Sequence, residues 1–204
     1  MVEVAAIVLA AGRSTRFSGG AAGATKLVAE IDGAPLVRHA VKAALASGAW
    51  PVVVVTGHAR ERVMAALAGL DVREAYNADF ANGIAASVKT GLAALPPGVD
   101  GALVFLGDMP RVTAALGRRL IDAYAADPSV DAVAPLVAGR RGNPVLLARR
   151  VFASAMRLEG DEGARKLLAQ SGFRVAEFAV EDESAALDID TRDALAAMGR
   201  EGAT

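Results

Sequence analysis

Pro51-Val52-Val53-Val54-Val55-Thr56 is a continuous, mostly β-branched run, and it limits the fold more than any other segment. A strand without polar alternation must be covered on both faces, which is the mark of a parallel sheet packed between helices. Val4–Leu9 and Gly101–Leu106 read the same way. Helical patterns separate these runs: Pro35–Ser47 ended by Gly48, Ala59–Leu67 stopped near Gly69, Ile84–Leu95 closed by Pro96-Pro97, and Thr113–Ala126. Val72–Tyr76 and Ala132–Leu136 add short strands. This βαβα alternation predicts an α/β fold with a parallel sheet and helices on both faces.

The character changes after Val137. Gly139-Arg140-Arg141-Gly142-Asn143-Pro144 is turn-rich and basic, and Val145–Leu147 is a short strand. Helices are expected over Val151–Leu158 and Glu162–Ala169, an edge strand over Arg174–Phe178 and a last helix over Thr191–Met198. No linker or repeat interrupts the 204 residues, so one domain is expected. Residues up to about 110 would form one side of a cleft and the rest the other.

Composition removes several function classes. With 22 basic and 23 acidic residues the net charge is −1, which argues against a nucleic-acid binder. Aromatics make up only 4%, leaving few platforms for stacked bases. The chain has no cysteine, so disulfides, iron–sulfur clusters and thiolate zinc sites are ruled out. The start carries no signal-peptide pattern and no apolar run is long enough to span a bilayer, so a cytoplasmic location without membrane contact is expected. His39 and His58 lack metal-ligand spacing and are expected to be structural. Neither G-x-S-x-G nor H-E-x-x-H occurs, so no activated nucleophile is evident.

The chemistry concentrates first in Leu9-Ala10-Ala11-Gly12-Arg13-Ser14-Thr15-Arg16-Phe17. A buried strand that opens into small residues and two arginines lets backbone N–H groups and guanidinium groups meet phosphate oxygens together. The segment lacks G-x-G-x-x-G, so it is not a dinucleotide fingerprint. Lys26 follows Thr25 and precedes Leu27, so the Walker pattern fails as well. A nucleoside triphosphate remains the natural occupant. Asp108, in Leu106-Gly107-Asp108-Met109-Pro110, ends a strand where ligands of open sheets bind; it either holds Mg²⁺ or caps the next helix. Asp188 and Asp190 share a face of an extended segment, Asp190 being the favoured second ligand or else an N-cap. From Asn77 to Val88 a strand end runs into a helix, with Asn82 as cap and Gly83 as turn, or with both meeting a base edge.

Taken in order, these segments resemble the molybdenum cofactor cytidylyltransferases of the MobA-like nucleotidyltransferase superfamily. The resemblance runs from Ile7 to about Ala194 and rests on Leu9–Gly12 with Arg13, Arg16 and Lys26-Leu27, Val55–His58, Asn77–Gly83 with Ser87, and Leu106–Pro110. It continues through Arg141-Gly142-Asn143-Pro144, Gly160-Asp161-Glu162-Gly163-Ala164-Arg165 and Asp188–Thr191. It implies a Rossmann-like three-layer sandwich with a mostly parallel sheet, of the nucleotide-diphospho-sugar transferase type. It also implies transfer of CMP from CTP to the terminal phosphate of molybdenum-loaded molybdopterin, pyrophosphate leaving and a molybdoenzyme receiving the product.

By position, the resemblance gives Arg16, Lys26 and Asp108 the catalytic roles. Leu9, Ala10, Ala11, Gly12, Arg13, Lys26, Asn82, Gly83, Ser87 and Asp108 would bind the nucleotide. Arg141, Asn143, Asp161 and Arg165 would meet the acceptor, and Asp108 with Asp190 would hold Mg²⁺. Ala-Ala-Gly, where guanylyl-transferring relatives have Ala-Gly-Gly, implies a pyrimidine nucleotide. Two departures stand out: Ser18–Thr25 lengthens the loop before Lys26, and Asn143 replaces the His of many members. Methylerythritol phosphate or a sugar phosphate remains an alternative acceptor. A cofactor carrier or insertion chaperone without turnover, supported by the longer loop, is the alternative of another class.

Overall fold

The computed structural model describes residues 2–14, 17, 25–169 and 172–180. Arg16, Asp188, Asp190 and the helix expected over Thr191–Met198 lie outside them. Strand β1 (Val4–Ala10) is buried along its whole length, and so are β4 (Val52–Thr56) and nearly all of β6 (Gly101–Leu106). These are the three uninterrupted apolar runs. β1 lies parallel between β4 and β6, with Leu9 opposite both Val55 and Leu106. β5 (Arg73–Tyr76) extends the sheet parallel to β4.

Two helices show how the layers are built. Gly91, in α3 (Ile84–Ala93), approaches so closely that an added Cβ would stand 2.6 Å from Ile7 Cγ2 and 3.1 Å from Val55 Cγ2. Gly117, in α4 (Ala114–Ala126), packs on the other face, where an added Cβ would stand 3.3 Å from Phe105 Cζ; Phe105 pairs with Val8 and not with Ile7. Small residues thus set the helix–sheet spacing on both sides. α1 (Leu36–Ala46) and α2 (Arg60–Ala66) complete the N-terminal part. The expected α/β three-layer sandwich with a mostly parallel sheet is the fold.

The full sheet order is β10-β7-β9-β6-β1-β4-β5, with β8 paired to β7. β7 (Ala132–Val137) turns into β8 (Arg140–Arg141) through Ala138 and Gly139, both at positive φ, as a two-residue hairpin requires. β9 (Val145–Ala148) then inserts antiparallel between β6 and β7, a local exception to the parallel arrangement. β10 (Val175–Ala179) is the expected edge strand and pairs parallel with β7. The helix expected over Val151–Leu158 is shorter: a 3₁₀ turn at Arg149–Val151 leads into α5 (Phe152–Ala155), and the chain then turns Leu158 into the core. α6 (Ala164–Leu168) follows. A small hairpin, β2 (Glu30–Ile31) with β3 (Ala34–Pro35), is held by His39, whose Nε2–H donates to Ile31 O at 2.8 Å. Among the described residues no helix is long and apolar enough to cross a membrane.

Candidate active site

The chain passes from β1 to β4 and β5 on one side, then returns to β6 on the other. This reversal opens a crevice beyond the carboxyl ends of β1 and β6, where open α/β sheets bind ligands. A cavity of about 540 Å³ lies there. Leu9, Ala11, Gly12, Arg13 and Ser14 form one wall, Lys26, Leu27 and Asp108 the floor, and Phe80, Ala81, Gly83, Ile84 and Ser87 with Asp161 the far side.

The loop after β1 closes on itself. Ser14, at φ +51°, accepts a hydrogen bond from the Lys26 N–H at 3.1 Å and lies 3.3 Å from Thr25 Oγ1. Thr25 in turn caps a 3₁₀ turn at Lys26–Val28 by accepting from the Leu27 N–H. The chain therefore leaves and returns at one point, and loop-closure cost rises only slowly with the residues between. At the end of the lengthened loop Lys26 lines the cavity. Its Nζ stands 2.7 Å from Asp108 Oδ2, with side-chain exposures of 11% and 21%.

Asp108 reaches this place because Gly107 allows it. Gly107 N–H donates to Leu9 O at 2.9 Å, and a Cβ there would stand only 2.9 Å from that oxygen. Asp108 is not a helix cap: Thr113 caps α4, accepting from the Leu116 N–H at 3.2 Å. Gly57 has a similar reason, since its Cβ would collide with Phe80 Cβ at 2.6 Å and Ala11 Cβ at 2.9 Å. That closeness lays Phe80 across the cavity wall, with the His58 ring behind it at 5.9 Å.

At the far side Ser87, 5% exposed, accepts from Asn77 Nδ2 at 3.0 Å, which leaves its hydroxyl proton available to the cavity. Gly83, not Asn82, occupies the N-cap position of α3, at φ +92° and without a side-chain cap. Its missing side chain makes room for Gly160 and Asp161, and Gly160 O accepts from the Ala85 N–H at 3.0 Å. Asp161 is thereby brought to the boundary with a second recess of about 200 Å³, which Asn143, Lys166, Val104 and Leu106 also line.

Nine of the residues singled out from sequence therefore line the larger cavity: Leu9, Ala11, Gly12, Arg13, Lys26, Gly83, Ser87, Asp108 and Asp161. Asn143 lines the smaller one. Three others point elsewhere. Ala10 is buried in the core, Asn82 is exposed outside the lining, and Arg141 turns to Glu177 Oε1 at 2.5 Å and to Leu168 O. Arg165 belongs to α6. Ser14, Phe17, Leu27, Phe80, Ala81, Ile84, Leu106 and Lys166 also line the two cavities, although sequence reasoning assigned them no role of their own. The bulk-intolerant Gly57 was the available signal for Phe80.

A sheet crevice with a cationic loop, a lysine and a carboxylate on one cavity defines a nucleotidyltransferase, and the comparisons agree. Residues 6–175 match the MobA-like NTP transferase domain, and the chain belongs to that family. Rv0371c from Mycobacterium tuberculosis H37Rv superposes with a TM-score of 0.84 at 29% identity over 98% of both chains. Its complex with manganese gives 0.81 at 27% identity, over 98% of this chain and 99% of the other. Bifunctional protein GlmU of Streptomyces avermitilis is 40% identical over 126 residues, 60% of this chain and 25% of that protein. The chain thus spans about a quarter of the length of this curated relative. The domain match and these neighbours favour an enzyme over the carrier alternative.

Proposed function

We propose that this enzyme transfers CMP from CTP to the terminal phosphate of molybdenum-loaded molybdopterin. The Lys26–Asp108 pair on the cavity floor is the observation that carries the reading. It sets a cation for phosphate beside a carboxylate for a metal, opposite the Gly12–Arg13 loop. Arg13 and the backbone from Ala11 would grip the triphosphate, joined by Arg16 from the loop. Residues up to about 110 would serve the nucleotide and the remainder the acceptor.

The residues fit a hard divalent cation, which we assign as magnesium. Among the described residues no group of three or more His, Cys, Asp or Glu forms a metal cage. One carboxylate facing a cavity suits an ion that draws its other ligands from phosphates and water. Asp108 would be that ligand, with Asp190 assigned as the second from sequence. That Rv0371c was solved as a complex with manganese supports a divalent ion. When bound, the ion would neutralise phosphate charge.

The chain need supply no general base. A phosphate monoester, with its second pKa near about 6, is already largely dianionic at neutral pH. Its oxygen bonds to the α-phosphorus of CTP as the bond to the β-bridging oxygen breaks, and pyrophosphate leaves with that electron pair. Lys26 and Arg13 would hold the oxygens in line, so that alignment and charge provide the catalysis. The Ser87 hydroxyl, with a proton to donate, suits the O2 and N3 acceptors of cytosine.

Pyrophosphate release with each of the four NTPs, magnesium and molybdenum-loaded molybdopterin tests the reading. Release with CTP alone is expected. Release only with methylerythritol phosphate or a sugar phosphate would move the acceptor, and release with GTP would move the nucleotide.

A further inference from the structure

Between Lys26 and Pro35 only Leu27 joins the main core, where its Cδ2 would lie 3.4 Å from a Cβ at Gly107. Ile31 packs instead with Leu36 in a small cluster of its own, flanked by Phe17 and Ala29. His39 binds both strands of the β2–β3 hairpin to α1, reaching Ile31 O at 2.8 Å and Ala34 O at 3.3 Å. These contacts seat the hairpin on α1 and do not set its distance from the turn that carries Asp108. That turn is anchored separately. Met109, 1% exposed, and Val112 belong to the main core, and the Gly107 N–H donates to Leu9 O. Arg111 lies between those two buried residues, and its Nη1 stands 3.0 Å from Asp32 Oδ2 at the tip of the hairpin. Neither Asp32 nor Arg111 lines either cavity.

We propose that Asp32 and Arg111 are positioning residues that hold the Lys26 segment at a set distance from the Asp108 turn. This rests on the nucleotidyltransferase reading, in which Lys26 serves the triphosphate and Asp108 the metal. Two ion pairs join the same two segments, one opening on the larger cavity and one outside it. The inner pair must part when Lys26 takes a phosphate and Asp108 a cation. The outer pair has no ligand to exchange for and keeps the segments in register while the site is loaded.

The residue types agree. Asp32 adopts φ +51°, a conformation that Asn tolerates as readily as Asp. The turn therefore accounts for a short polar side chain, and Arg111 accounts for the charge. With side chains 34% and 41% exposed, the pair adds little to stability. A small displacement of groups that grip a substrate still has a large effect on what they bind and align. The signature of such a pair is weaker ligand binding without a weaker fold.

Titration of the full-length protein with CTP in the presence of magnesium tests this. Asp32→Asn keeps the turn and removes the charge, while Arg111→Met removes the guanidinium and keeps the stem. Each should weaken CTP binding about threefold, less than the loss of Lys26 itself, with melting temperatures within about 2 °C of wild type. Charge acting through space would give opposite signs, since one variant removes an anion and the other a cation. Arg111→Lys should bind CTP within about twofold of wild type. In a Lys26→Ala background, Asp32→Asn should add nothing, because the residue it positions is gone. Unchanged affinity, changes of opposite sign, a loss in Arg111→Lys equal to that in Arg111→Met, or an undiminished effect without Lys26 overturns the positioning role. Should one variant fail to fold, the other carries the same comparison. CTP binding by the wild type in those cases leaves the nucleotidyltransferase reading standing; a wild type that does not bind CTP overturns that reading and this inference together.

Discussion

Lys26 Nζ lies 2.7 Å from Asp108 Oδ2, and the two residues are far apart in sequence but follow adjacent parallel strands. One follows the loop after β1 and the other follows β6, strands that are neighbours. The pair is mostly shielded from solvent yet opens on the cavity, so each charge can exchange its partner for a phosphate or a cation. Such a pair is weak evidence of a stabilising device, because desolvation offsets much of the attraction. It is a poised site.

Replacement of Asp108 by Ala should lower turnover by about 10²-fold or more, the usual scale for removing one preorganised charge from a reacting centre. The fold should survive, because Lys26 can turn its ammonium to cavity water. Pyrophosphate release and a thermal melt on one preparation measure both. Near-normal turnover would remove Asp108 from the metal site.

Lys26→Ala separates a phosphate ligand from a mere counter-ion. As a phosphate ligand, Lys26 should cost about tenfold or more in kcat/KM for CTP when lost. As a counter-ion only, its loss would lower the melting temperature and leave CTP kinetics untouched. Steady-state kinetics and a melt decide between the two.

Much of this arrangement was legible in the chain. Unbroken apolar runs gave β1, β4 and β6, because strands buried on both faces leave no polar alternation. Thr113 gave the start of α4, since a side-chain cap is a local event. The orientation of β9 was not legible: four buried apolar residues read alike in parallel and antiparallel pairs, and the β7–β8 hairpin decides the direction. The reach of Lys26 depended on Ser14 and Thr25 closing the loop at its base, a contact between residues eleven apart. Gly83 was legible as a turn, but its true neighbour, Gly160, is distant in sequence.

Gly83→Ala should be costly for that reason. The new Cβ would stand 2.2 Å from Gly160 O, and the backbone at φ +92° disfavours any side chain. Strain and overpacking together should destabilise by about 2–4 kcal/mol. Asp161 moves with Gly160, so the acceptor KM should rise as well. Urea unfolding checks the first effect, and a variant as stable as wild type would show that the two segments do not touch.

Glu74 gives a pH-dependent prediction away from the cavity. Arg60 binds its carboxylate through two hydrogen bonds of 2.8 Å, which lower its pKa against the opposing effect of burial, and the Thr56 hydroxyl adds to the lowering. The folded state thus holds Glu74 ionised more readily than the unfolded state does. The stabilisation is complete above the ordinary Glu value of about 4.3 and disappears as pH falls through the lower folded value. Glu74→Gln should be less stable than wild type at pH 7, and the gap should close below about pH 4. Urea midpoints measured from pH 7 to pH 3 trace it; a gap that stays constant would mean the charge is irrelevant.

Ser87→Ala tests the choice of nucleotide. Asn77 Nδ2 donates to the hydroxyl oxygen, which leaves the proton of Ser87 for an acceptor on the base. Cytosine presents two acceptors for that proton, O2 and N3, whereas the corresponding edge of guanine presents one, O6, beside two N–H donors. Loss of the hydroxyl should raise KM for CTP by about three- to tenfold, the value of one neutral hydrogen bond. It should also narrow the preference for CTP over GTP, since the group that favours one base and not the other is gone. The stability cost should be about 1–2 kcal/mol, because Asn77 loses its partner in a nearly closed site while its Oδ1 still accepts from the Asp79 N–H. Competition between CTP and GTP for turnover reads the preference directly. An unchanged ratio would place the base elsewhere on the cavity wall and leave Ser87 as a support for the Asn77 turn.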